Sequence, residues 1–140
     1  MMWRKPEQDL FPMCDELGIG FMAYSPLGNG FLSGKVAQNT EYQEGDFRGQ
    51  MGRFKPEVMA QNQALLDLIA QIAASKNATS AQVVLAWELA QKPYIVPIPG
   101  TTKLHRLEEN FKGAEVELSA QELADINDAL AKLDINETFF

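Results

Sequence analysis

The hydrophobic positions form two short apolar runs set among stretches of helical spacing. Ile19 to Tyr24 is bounded by Gly18 and by Ser25-Pro26, the length and setting of a buried strand. Tyr94-Ile95-Val96-Pro97-Ile98 is a second, held between Pro93 and Pro99-Gly100. Pro97 has no amide to donate, so it is expected at a strand end or a local irregularity. Ahead of the first run, Pro6 to Leu17 reads as a helix opened by Pro6. Glu7 and Asp9 suit its positive end and Gly18 stops it. Pro12 inside that stretch predicts a kink, or a helix that starts only near Leu10. From Val58 onward Leu65, Ile69 and Ile72 recur on one face, widened by Leu66 and Leu68. Asn77-Ala78-Thr79 breaks this helix. Thr79 to Gln82 then matches a capping box, with Val83, Val84, Ala86, Trp87 and Ala90 behind it. A further helix spans about Lys103 to Lys112, with Leu104, Leu107 and Phe111 on one face. Ser119 to Glu122 is a second capping box, and Leu123, Ile126, Leu130 and Leu133 follow it.

The order is helix, strand, long loop, two helices, strand, two helices. Strands separated by helices predict parallel βαβ construction, an α/β fold. Two buried parallel strands leave their outer edges unsatisfied, so the pattern predicts a portion of a larger sheet. The stretch from Pro26 to Pro56 is glycine-rich and polar. It is longer than ordinary connections, which marks it as functional or mobile. Phe31, Leu32, Phe47 and Phe54 are its expected anchors to the body. Arg48, Arg53 and Lys55 within it read as solvated charges, with anion contact as the lesser alternative.

Composition narrows the partners. The 140 residues are 46% hydrophobic and 22% charged, a globular composition sufficient for one core. Twelve Lys and Arg against 19 Asp and Glu give a formal charge of −7. That balance argues against nucleic acid and anionic membranes as partners. A local anion site remains open, because it needs only a few positioned donors. Cys14 is the single cysteine, so no internal disulfide or cysteine metal site forms; set among Leu10, Phe11, Met13 and Leu17, it reads as a small buried apolar residue. No apolar run approaches the ~20 residues of a membrane span, and Arg4 and Lys5 are not followed by an apolar stretch as in a signal peptide. A soluble cytoplasmic protein is the expectation. His105, the only histidine, has no paired ligand at helical spacing, so a metal or triad role has little support. Glu108, Glu109, Glu115 and Glu117 read mainly as a solvated face.

Chemistry concentrates in two segments, each just after a predicted strand, where parallel α/β proteins bind ligands. In Ala23-Tyr24-Ser25-Pro26-Leu27-Gly28-Asn29-Gly30, the turn residues can present amides to an anion and Tyr24 a flat face to an aromatic ring. An ordinary strand-ending turn with a core tyrosine is the competing reading. In Gly100-Thr101-Thr102-Lys103, a turn leads into a helix whose first amides and dipole attract anions; Arg106 stands one turn further on. Glu109 and Asn110 are placed to orient that arginine or to hold an adenine amino group. The competing reading is a threonine-capped helix with a solvated charged face.

Taken in order, these segments resemble the aldo-keto reductase family. Glu16-Leu17-Gly18-Ile19-Gly20-Phe21 and Ala23-Tyr24-Ser25-Pro26-Leu27-Gly28 resemble the seventh barrel strand and its loop. Gly30-Phe31-Leu32-Ser33-Gly34-Lys35 and Phe47-Arg48 resemble the continuation of that loop. Ala81-Gln82, Ala86-Trp87 and Ile95-Val96-Pro97-Ile98-Pro99-Gly100-Thr101 resemble the eighth strand and its lead-in. Arg106, Leu107, Glu109 and Asn110 match the cofactor-anchoring helix, and Leu118-Ser119 with Glu122-Leu123 the closing helix.

The resemblance implies an incomplete (β/α)₈ TIM barrel over residues 1–140, with residues 26–56 as a cofactor and substrate loop. It implies NADP(H) as cofactor and reduction of aldehydes or ketones by hydride transfer. Tyr24 would stack on the nicotinamide, with Ser25, Pro26, Leu27 and Asn29 along the pyrophosphate. Thr101 and Arg106 would hold the adenosine 2′-phosphate and Glu109 and Asn110 the adenine, with Gly100 and Thr102 also counted in the cofactor site. Gly100 replaces a lysine found in many members, which bears on NADPH against NADH and leaves Lys103 as the nearest substitute. The family's catalytic Asp, Tyr, Lys and His belong to earlier strands, and no residue here matches them. The expectation is therefore a truncated chain, inactive alone, with carbonyl substrate bound only in a complete barrel. The alternatives are a non-catalytic NADP-binding remnant, or an interaction module docking on a full-length reductase.

Overall fold

The computed structural model describes residues 1–139. Six α-helices flank one parallel two-stranded sheet. They run α1 (Lys5–Leu17), β1 (Phe21–Ala23), α2 (Pro56–Gln61), α3 (Gln63–Ser75), α4 (Ser80–Gln91), β2 (Ile95–Pro97), α5 (Leu104–Phe111) and α6 (Ala120–Ala131). The two apolar runs pair in register Phe21 with Ile95, Met22 with Val96 and Ala23 with Pro97. Pro97 is the last paired residue, and the Ile98 amide makes the closing bond to Ala23 O at 3.2 Å.

α1 is continuous through Pro12, so neither the kink nor the late start is needed. Pro12 and Gln8, whose carbonyl it cannot pair, are both exposed, and water can satisfy that carbonyl. Gly18 closes the helix in the left-handed region, at φ 64°. Both capping boxes form as predicted, Thr79 with Gln82 and Ser119 with Glu122.

α4 is the centre of the fold. Ala81, Val83, Val84, Leu85, Ala86 and Trp87 are all buried, so it is covered on most sides rather than along one stripe; Ala90 is exposed, contrary to expectation. Trp87 satisfies its indole N–H on Asn127 Oδ1 at 2.9 Å. Leu65 and Ile69 of α3 and Ile126 and Leu130 of α6 complete the same core, with Ile72 and Leu123 packed at its margin. Cys14 is buried, as read.

The helix expected from Val58 is divided at Asn62, which is buried. Its side chain accepts from the Asn136 amide and donates to the Asn136 carbonyl, each at 2.9 Å, which ties the C-terminal tail to the α2–α3 junction. The long loop is folded by three 3₁₀ turns and anchored by Phe31, Leu32, Met51 and Phe54. Phe47, expected among these anchors, is 58% exposed, because its turn holds to the loop through Asp46 and Arg48 instead. Leu104, Leu107 and Phe111 of α5 have the predicted one-face spacing and are exposed, while the helix packs on α4 and the 112–115 turn.

Candidate functional site

The parallel register decides where the chemistry falls. Since Ala23 pairs with Pro97, the chain leaves both strands on the same edge, and the 24–30 and 98–103 segments begin side by side. In the first, Ser25, Gly28, Asn29 and Gly30 all have positive φ, between 50° and 95°. Ser25 and Asn29 adopt this region despite their side chains, which strains the backbone at a loop expected to be functional. The Gly28 amide donates to Ser25 O at 2.8 Å and the Gly30 amide to Leu27 O at 3.0 Å. Those two amides are thus consumed by the turn rather than offered to an anion, which corrects part of the sequence reading. Tyr24 is 76% exposed, so the expectation of a core tyrosine is not met and its ring is open to a ligand. Ser25 and Leu27 are half-buried and Pro26 is buried. Asn29 Oδ1 is buried without a hydrogen-bond partner, an orphan acceptor beside that ring's loop.

In the second segment Gly100, Thr101 and Thr102 are exposed, and Thr101 Oγ1 accepts from the Lys103 amide at 3.1 Å. α5 starts at Leu104 without a side-chain cap, so its first amides stay available. Arg106, in that first turn, is half-buried, as are Glu109 and Asn110.

Glu109 is a junction rather than a solvated carboxylate. Its oxygens accept from Lys35 Nζ at 2.9 and 3.2 Å, and its backbone carbonyl accepts from Gln82 Nε2 at 3.1 Å. Burial pushes the Glu109 carboxyl up, but Lys35, Thr79 and Arg106 outweigh it and hold the group below its usual range. The long loop, the start of α4 and α5 therefore meet at one point. Lys35 was missed as a site residue; 74 positions separate it from Glu109, and no local spacing announces such a pair.

Arg53 is the other surprise. Read as a solvated loop charge, it is only 7% exposed and lies against the 24–28 turn, where a Cβ on Gly28 would meet its Nη1 at 3.0 Å. Its Nε has no hydrogen-bond partner, and burial lowers its pKa. His105 is exposed, and among the described residues no group of three or more His, Cys, Asp or Glu could hold a metal ion. Among those residues, no helix is long and apolar enough to cross a membrane.

A model of the Aldo/keto reductase family matches residues 1–131. The chain belongs to the aldo/keto reductase family. It is 38% identical over 131 residues to aldo-keto reductase yakc of Schizosaccharomyces pombe, whose name specifies NADP(+), covering 94% of this chain and 38% of that protein. It is 38% identical over 135 residues to probable aldo-keto reductase 1 of Glycine max, covering 96% and 39%. The chain thus spans about two fifths of the length of these curated relatives. The glycerol dehydrogenase of Gluconobacter oxydans shares the fold at a TM-score of 0.77 and 22% identity, over 96% of this chain and 41% of that one. The thermostable aldo-keto reductase Tm1743, solved with the inhibitor epalrestat, matches at a TM-score of 0.58 and 29% identity, over 91% and 36%.

Proposed function

We propose that these residues form the cofactor-binding part of an NADP(H)-dependent carbonyl reductase built on a (β/α)₈ barrel. The observation that carries it is the side-by-side placement of the two turns at the strand ends, with Tyr24 open on one and Arg106 in the helix that follows the other. The residues present fit a dinucleotide. Tyr24 offers a bare aromatic face to the nicotinamide. Ser25, Pro26, Leu27 and Asn29 line the path of the pyrophosphate, and the orphan Asn29 Oδ1 accepts from a ribose hydroxyl or the carboxamide. Gly100, Thr101, Thr102 and Arg106 hold the 2′-phosphate at the uncapped start of α5. Glu109 and Asn110 face the adenine, with Glu109 fixed by Lys35. When bound, the cofactor supplies the hydride that reduces a carbonyl. The family's Asp, Tyr, Lys and His have no counterpart here, so turnover and carbonyl binding belong to a complete barrel.

The exposed face of Leu104, Leu107 and Phe111 favours a second reading, in which the chain docks on a full-length reductase. Titration of the protein with NADPH, followed by Trp3 and Trp87 fluorescence, tests the first. Saturable binding that weakens in Arg106→Ala supports a cofactor site; absence of saturation defeats it.

A further inference from the structure

Behind the 24–28 turn lies a cavity of about 470 Å³, bounded by α1, β1, α4 and the 51–54 turn. Its walls are mostly apolar and aromatic, including Phe11, Phe21, Leu32, Trp87 and Ile95. Arg53 lines it, more than nine-tenths buried and with an unpartnered Nε. The ring of Phe139 covers one face of the guanidinium at 4.3 Å, and the in-plane Nε meets no hydrogen-bond acceptor. Among the described residues no carboxylate forms an ion pair with Arg53. Of the acids on the cavity wall, Glu7 is paired to Arg4 and Glu137 is exposed. A buried guanidinium nitrogen without a partner is costly, and an apolar cavity with a few polar groups, here Arg53 with Glu88 and Met1, is the form small-molecule sites take.

We propose that this cavity binds a small, largely apolar carboxylic acid, with its carboxylate on Arg53 and its body against the aromatic wall. The bidentate fork of a guanidinium suits a carboxylate. Glu88, the remaining buried acid on the wall, has its carboxyl pushed up to about 7 by burial and is mostly neutral in mildly acidic solution, so it does not repel the ligand there. Tyr24, Ser25 and Pro26 also line this cavity, so it adjoins the proposed dinucleotide site, but the acid is held by Arg53 and its test uses no cofactor.

The test is calorimetric titration of the protein at about pH 6 with hydrocinnamate and with hydrocinnamyl alcohol, which keeps the body and lacks the charge. The expected result is saturable one-to-one binding of the acid, about tenfold or more tighter than the alcohol. Arg53→Met brings the acid to the level of the alcohol, and Arg53→Lys retains part of the preference. Equal binding of acid and alcohol by the unaltered protein overturns the proposal, as does no saturable binding of the acid. The acid–alcohol comparison stands even if an Arg53 variant fails to fold.

Discussion

Replacing Asn62 with alanine tests how the C-terminal tail is held. Asn62 is 1% exposed and exchanges two hydrogen bonds of 2.9 Å with the Asn136 backbone. Asn136 in turn bonds Gln61 Oε1 and the Thr138 amide, so the junction fixes residues 136–138 as a unit. Each lost bond costs about 1 kcal/mol net, and leaving the Asn136 amide and carbonyl unpaired adds a similar amount. The expected loss is about 2–4 kcal/mol. Asn62→Asp keeps the acceptor for the Asn136 amide. It replaces the donor with a second oxygen facing the Asn136 carbonyl, so it destabilises at least as much as alanine at neutral pH. Urea unfolding reads both variants as a lower midpoint at unchanged slope. A loss below about 0.5 kcal/mol in the alanine variant, or an aspartate variant as stable as the parent, refutes the reasoning.

Two further predictions concern α4. Burial pushes Glu88 up to about 7 from 4.5, with the Met1 amino group working against the shift. The folded state then binds the extra proton between those values. This group's contribution is therefore lost as pH rises from 4.5 to about 7 and stays lost above. Glu88→Gln should gain stability relative to the parent by up to about 3 kcal/mol between ~pH 4 and ~pH 8, read from urea midpoints at each pH; a pH-independent difference counts against it. Gly113 packs so closely on α4 that a Cβ would meet Leu85 Cβ at 3.1 Å and Gln82 O at 3.3 Å. Gly113→Ala should cost about 1–3 kcal/mol in the same assay, and a neutral result would mean the 112–115 turn shifts freely.

Much of the frame was legible because its signals are local. Thr79 and Ser119 announce their helices through side chains that reach three residues on, and Leu65 and Ile69 mark a face by spacing alone. The two strands and their parallel pairing followed from apolar runs separated by helices. What escaped depends on partners distant in sequence. Asn62 looks like any helix-surface asparagine until Asn136 meets it, and Lys35 is an ordinary loop cation until Glu109 does. Arg53 was misread because burial of a cation in a polar loop has no sequence signature. The α5 face was legible in pattern while its exposure was not, since spacing reports amphipathicity and not what covers it. At the site, composition favoured an ordinary turn for the first segment and left the second open; the exposure of Tyr24 and the register beside β2 joined the two.

The central claim, that the start of α5 recognises a 2′-phosphate, is tested most directly by measuring NADPH and NADH affinities for the unaltered protein and for Arg106→Ala. The account predicts saturable NADPH binding at least about tenfold tighter than NADH, with Arg106→Ala erasing most of that preference and leaving NADH binding nearly unchanged. Equal affinity for the two dinucleotides, or a preference that survives the loss of Arg106, would contradict it.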